Sequence, residues 1–101
     1  MSNIIETYKN ELISLCERYD VKVMYVFGSV LTRDFSELSD IDILISFKEI
    51  SAEKYTDNYF ELHEQLELLF QRKVDLLTER SLKNPYFIAS IEKTKQLLYA
   101  A

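Results

Sequence analysis

Two short apolar runs dominate the hydropathy pattern of the first half of the chain. "VKVMYVF", Val21 to Phe27, is β-branched and aromatic and stops at Gly28, which predicts a buried strand. "IDILISF", Ile41 to Phe47, alternates: Ile41, Ile43, Ile45 and Phe47 share one face, and Asp40, Asp42, Leu44 and Ser46 share the other. Before the first strand, Ile5, Tyr8, Leu12, Leu15, Cys16 and Tyr19 recur at helical spacing, predicting an amphipathic helix from Asn3 to about Tyr19 with Asn3 and Glu6 as a capping box.

Between the strands the pattern predicts a short helix from Ser29 to about Asp34. After Ser51, an N-cap, Tyr55, Tyr59, Leu62, Leu66, Leu69 and Phe70 mark the longest helix, reaching Gln71. "KVDLL", Lys73 to Leu77, predicts a third, short strand. Asn84-Pro85 places proline at a first helical position, and Ile88, Ile91 and Leu98 form the stripe of a last helix. With 101 residues, and no repeats, linkers or low-complexity stretches, the expectation is a single domain over residues 1–101.

Charge and cysteine usage narrow the function classes. The net charge of −5 argues against affinity gained by neutralising nucleic-acid phosphates, so direct nucleic-acid binding is not expected. Cys16 is the only cysteine, which excludes an intramolecular disulfide and a multi-cysteine zinc site; its place on an apolar stripe makes it a packing residue, and a reducing cytoplasm fits. No run approaches the ~18 consecutive apolar residues of a membrane span, so no membrane association is expected.

The candidate chemistry lies where the strands end. Gly28 lets the backbone turn without a Cβ, and Ser29 opens a helix whose free N–H groups would face an anion. Asp40 and Asp42 project from one strand face, and Asp75, within "KVDLL", is the natural third oxygen donor from a neighbouring strand. Two like charges at ~4 Å repel by about 4 kcal/mol at an effective dielectric near 20, so three clustered aspartates call for a cation or for raised pKa values. His63 is the only histidine; mid-helix between Leu62 and Leu66, it reads as a packing or solvent-facing residue. Arg72 and Lys73, at a helix C-terminus, are accounted for by the helix dipole.

Gly28-Ser29, ten intervening residues, Asp40-Ile41-Asp42, and then "VDLL" with Asp75 together resemble the minimal nucleotidyltransferases of the polymerase-beta-like superfamily, over nearly the whole chain. The resemblance implies an α/β (α+β) nucleotidyltransferase fold: a small mixed three-stranded sheet with helices packed mainly on one face. It implies transfer of a nucleoside monophosphate, AMP from ATP, with pyrophosphate leaving. Gly28 and Ser29 would hold the triphosphate, Asp40 and Asp42 would bind two Mg²⁺ ions, and Asp75 would ligate one metal and orient or deprotonate the acceptor hydroxyl. Family members commonly read Gly-Ser-x-Ala-Arg-Gly, whereas this chain has Leu31, Thr32 and Arg33 after Val30. Two readings stay open: Arg33 supplies the nucleotide-binding charge from one position later, or the loop is altered.

Longer superfamily members attach a second domain, and stand-alone domains of this size resemble instead the antitoxin of bacterial modules whose toxin is an all-helical HEPN ribonuclease. The resemblance thus implies AMP transfer to a tyrosine of a HEPN partner. A module that neutralises its partner by contact alone, and a small-molecule nucleotidyltransferase, are the alternatives. The acceptor, the choice among triphosphates and the state of self- or hetero-assembly are left open.

Overall fold

The computed structural model describes residues 3–32, 36 and 39–101; the side chain of Asn3, and with it the capping box, lies outside the described set, as do Arg33 and Asp34. Helices α1 (Asn3–Thr7) and α2 (Lys9–Arg18) lead into strand β1 (Val21–Phe27). The single helix expected from Asn3 to Tyr19 is interrupted at Tyr8, whose φ of −105° and ψ of 16° leave the helical region. The Tyr8 ring meets Phe70 edge-on at 5.7 Å, so the aromatic is spent on packing across the core.

A 3-10 turn, Gly28–Leu31, follows β1, and then come β2 (Ile41–Phe47), α3 (Ala52–Phe70), β3 (Val74–Thr78), a second 3-10 turn, Glu79–Ser81, α4 (Pro85–Thr94) and β4 (Gln96–Ala100). The caps are those the composition calls for. Ser51 accepts from the Lys54 N–H at 3.1 Å, and Asn84 accepts from the N–H groups of Tyr86 and Phe87 with Pro85 just inside the helix.

The sheet has four strands in the order β3-β2-β1-β4, one more than expected. Its β1–β2 and β1–β4 pairs are antiparallel, and β2–β3 is parallel, with α3 as the crossover. The additional strand takes Leu98 out of the last helix. The helix ends at Thr94, Lys95 turns extended, and Leu98 is buried while Leu97 is 55% exposed, the alternation of a strand. Without β4, strand β1 would be an edge presenting a row of unpaired backbone groups.

One main core lies between the sheet and α1, α2 and α3: Met24, Val26, Ile41, Ile43 and Ile45 from the sheet meet Ile5, Leu12, Cys16, Leu62 and Leu66. Cys16 is a packing residue there. Its thiol points at the Met24 sulfur, 3.7 Å away, and burial, with the nearby Glu17 charge, pushes its pKa up to about 12. On the opposite face α4 covers only a small cluster of Phe27, Leu44 and Ile91, leaving the rest of that face for chemistry.

The turn from α2 to β1 is fixed by a buried amide. Asp20 sits at φ 60°, a left-handed conformation that aspartate tolerates. Asn58, from α3, donates to the Tyr19 carbonyl at 2.9 Å and to the Asp20 carboxylate at 3.2 Å. Asn58→Leu strands that buried carbonyl and is expected to cost about 1–3 kcal/mol, read as a lower urea midpoint at unchanged denaturant slope. An unchanged midpoint would show the contact to be dispensable.

Candidate active site

Phe27, the last residue of β1, pairs with Asp42 of β2, so the turn that begins at Gly28 sits beside the Asp42 carboxylate. Gly28 has φ +78°, and a Cβ placed on it would run into the Asp42 carboxylate oxygen. The glycine therefore serves two ends: it makes the left-handed turn and vacates the space that Asp42 fills. The turn itself is a single 3-10 turn in place of the expected short helix, so a helix dipole contributes little at Ser29. Thr32 closes it, its N–H and its hydroxyl both donating to the Ser29 carbonyl at 2.9 Å.

Asp42 and Asp75 are partners in the parallel β2–β3 register. They meet. The Asp42 pKa is pushed up to about 6, first by burial, then by a hydrogen bond with the Asp75 carboxyl and by the charges of Asp75 and Asp40. The half-buried and crowded carboxylate lies on the face opposite Ile41 and Ile43, as strand alternation predicts.

Asp40 stands two residues earlier, half exposed, with Lys73 Nζ 3.9 Å from its carboxylate. Arg72 donates to the Ser36 carbonyl at 2.9 Å and to the Ser39 carbonyl at 3.2 Å, holding the residue directly before Asp40. The Arg72-Lys73 pair thus does more than answer a helix dipole. Long-range placement of this kind leaves no periodic trace in a sequence. The same holds for Tyr59, whose hydroxyl donates to the Leu76 carbonyl at 2.6 Å and whose pKa is raised by burial, then by Tyr55 and Asp75.

The donor set is all carboxylate oxygen, which suits Mg²⁺ or Mn²⁺. Among the described residues no three acidic, histidine or cysteine side chains converge as a ready-made metal cage. Mg²⁺ in nucleotide sites is commonly held by one or two carboxylates plus substrate phosphates, so the Asp42–Asp75 pair fits such an ion. A cation would also relieve the repulsion that raises Asp42. Farther along the face of Asp42, a cleft of about 340 Å³ opens under α4, lined by Tyr25, Leu44, Ser46, Leu82, Ile88 and Lys95 among others.

Residues 10–101 match the family model described as polymerase beta, nucleotidyltransferase. A Methanocaldococcus jannaschii protein provisionally designated a protein adenylyltransferase is 39% identical over 93 residues, 92% of each chain. A solved structure provisionally described as a minimal nucleotidyltransferase superposes with a TM-score of 0.76 at 28% identity, covering 95% of each chain. The complex of a tri-AMPylated Shewanella oneidensis HEPN toxin with its MNT antitoxin contains a chain with TM-score 0.65 and 21% identity, covering 95% of this chain and 72% of that one. That last likeness carries the fold alone.

Proposed function

The chain belongs to the polymerase beta nucleotidyltransferase family, and from that premise we propose that it is a Mg²⁺-dependent protein adenylyltransferase that moves AMP from ATP to a hydroxyl, a tyrosine of a helical HEPN-type toxin, and so acts as an antitoxin. The observation that carries the proposal is the in-register meeting of Asp42 and Asp75 beside the Cβ-free turn at Gly28. Relatives designated protein adenylyltransferases and a fold shared with an antitoxin bound to its AMPylated toxin support it. On this reading residues 1–101 act as one minimal nucleotidyltransferase domain that works in the cytoplasm.

Within this reading Gly28 and Ser29 bring backbone N–H groups to the triphosphate, and Arg33 adds a positive charge. Asp40, Asp42 and Asp75 would hold divalent ions, which neutralise charge developing on attacking and leaving oxygens. Asp75 orients the acceptor hydroxyl and takes its proton as the oxygen attacks the α-phosphorus. The bond from that phosphorus to the bridging oxygen breaks, and pyrophosphate departs. Thr32 keeps the Gly28–Leu31 turn closed, which favours a working loop over an altered one.

The test is to incubate the protein with ATP, Mg²⁺ and the product of the adjacent gene, then weigh that product intact. A gain of one or more AMP units, lost when a chelator removes the metal, is the expected result. An unmodified partner that is nevertheless silenced would replace the enzyme with a contact-only module.

A further inference from the structure

Asp75 belongs to the outermost strand of its side of the sheet. β3 has one strand neighbour, β2, and its outward backbone groups face α3 and the turn after it. Three of those groups are held by side chains of one helix. The Tyr59 hydroxyl donates to the Leu76 carbonyl at 2.6 Å, His63 Nε2 lies 2.8 Å from the Val74 carbonyl, and Glu67 accepts the Val74 N–H at 2.9 Å. A carbonyl only accepts, so Nε2 of His63 carries the proton. The rings of Tyr59 and His63 lie nearly parallel, 11° apart.

The spacing is commensurate. Tyr59, His63 and Glu67 recur every fourth residue, one stripe along α3 with a rise of about 6 Å per step. Alternate residues of a strand advance about 6.6 Å, so Tyr59 and His63 meet the successive outward carbonyls of Leu76 and Val74, and Glu67 takes the Val74 N–H. The helix is itself immobilised by Leu62, Leu66 and Phe70 in the core. Asp75 lies between the two clamped residues. A slip of β3 by one residue would turn its carboxylate to the core face and away from Asp42.

We infer that Tyr59, His63 and Glu67 are positioning residues for Asp75, a polar clamp from α3 that locks the register of β3 against β2 and thereby the carboxylate pair. The inference deepens the adenylyltransferase reading and rests on it for its kinetic consequence. The clamp also has a signature of its own, independent of any activity.

The experiment compares His63→Leu, which removes the donor, with His63→Gln, whose amide N–H can reach the same carbonyl, and with Tyr59→Phe, which deletes a single hydroxyl. Two measurements are made on the full chain: exchange of the Val74 amide and the amide resonances of Asp42 and Asp75 by NMR, and AMP transfer to the product of the adjacent gene. His63→Leu and Tyr59→Phe are expected to speed Val74 exchange, to shift both aspartate resonances, and to lower kcat about tenfold or more, with KM for ATP within about twofold. His63→Gln should restore all of these toward wild type. If wild type transfers no AMP, the function reading falls, and the NMR signals alone decide the clamp. The inference is overturned if His63→Leu and His63→Gln are indistinguishable in those signals, or if Tyr59→Phe leaves Asp75 and Val74 unmoved.

Discussion

Asp42→Asn is expected to eliminate AMP transfer, by at least about a hundredfold, while making the ligand-free protein more stable at neutral pH. The two effects have one origin. Asp42 is held in a half-buried place beside Asp75 and Asp40, with its pKa raised from 3.8 to about 6. Between those two values the folded chain binds more protons at Asp42 than the unfolded chain does. Stability therefore falls as pH rises through this window and stays reduced above it. A shift of this size corresponds to about 3 kcal/mol if taken whole; with solvent screening of a half-exposed group, about 1 kcal/mol is the expected gain from removing the charge. Asparagine keeps the shape and can still hydrogen-bond Asp75.

Thermal melts of wild type and Asp42→Asn from pH 4 to pH 8, without metal or nucleotide, read the effect directly. The curves should lie together near pH 4 and separate progressively toward pH 7. An Asp42→Asn protein that melts below wild type at pH 7 would mean that Asp42 supports the fold and is not a strained functional group. Added Mg²⁺ should narrow the gap, because it stabilises the chain with all three carboxylates more than the variant.

Gly28→Ala is the second large effect. At φ +78° any side chain is strained, by about 1–2 kcal/mol, and here the new methyl also collides with the Asp42 carboxylate. Stability and transfer should fall together, because relief comes only by moving Asp42 or opening the turn. A double-mutant cycle separates the causes. In an Asp42→Ala background the colliding oxygen is gone and the nearest remaining atom of residue 42 is its Cβ, 3.5 Å away, so the penalty of Gly28→Ala should shrink to the backbone strain. Equal penalties in both backgrounds would show that the glycine serves the turn alone.

The carboxylates and the turn were legible because their signals are local. Strand alternation puts Asp40 and Asp42 on one face whatever the rest of the chain does, and a lone glycine at the end of an apolar run has few other uses. Helix caps at Ser51 and Asn84 were legible for the same reason. β4 was not. In Gln96–Ala100 a buried Leu98 after Ile88 and Ile91 satisfies a helical stripe as well as a strand, and only the pairing with β1 decides between them. Tyr59 and Arg72 escaped for a different reason: their partners are backbone carbonyls far along the chain, and a carbonyl has no letter in a sequence. The helical position of His63 points to a packing or solvent-facing residue and gives no hint of its contact with the Val74 carbonyl.

The outer side of β3 has a bearing on assembly. Its outward carbonyls at Val74, Leu76 and Thr78 are each occupied by a side chain, from His63, Tyr59 and Ser81 in turn. A flat row of open acceptors would invite a foreign strand, and this row is filled from within. Strand addition from that flank would have to displace these three hydrogen bonds and the one from the Val74 N–H to Glu67, whereas the five residues of β4 form the sheet's other margin. Lengthening of the sheet beside Asp75 is thereby disfavoured, so an acceptor hydroxyl would meet Asp42 and Asp75 from the face of the sheet and not as part of an added strand.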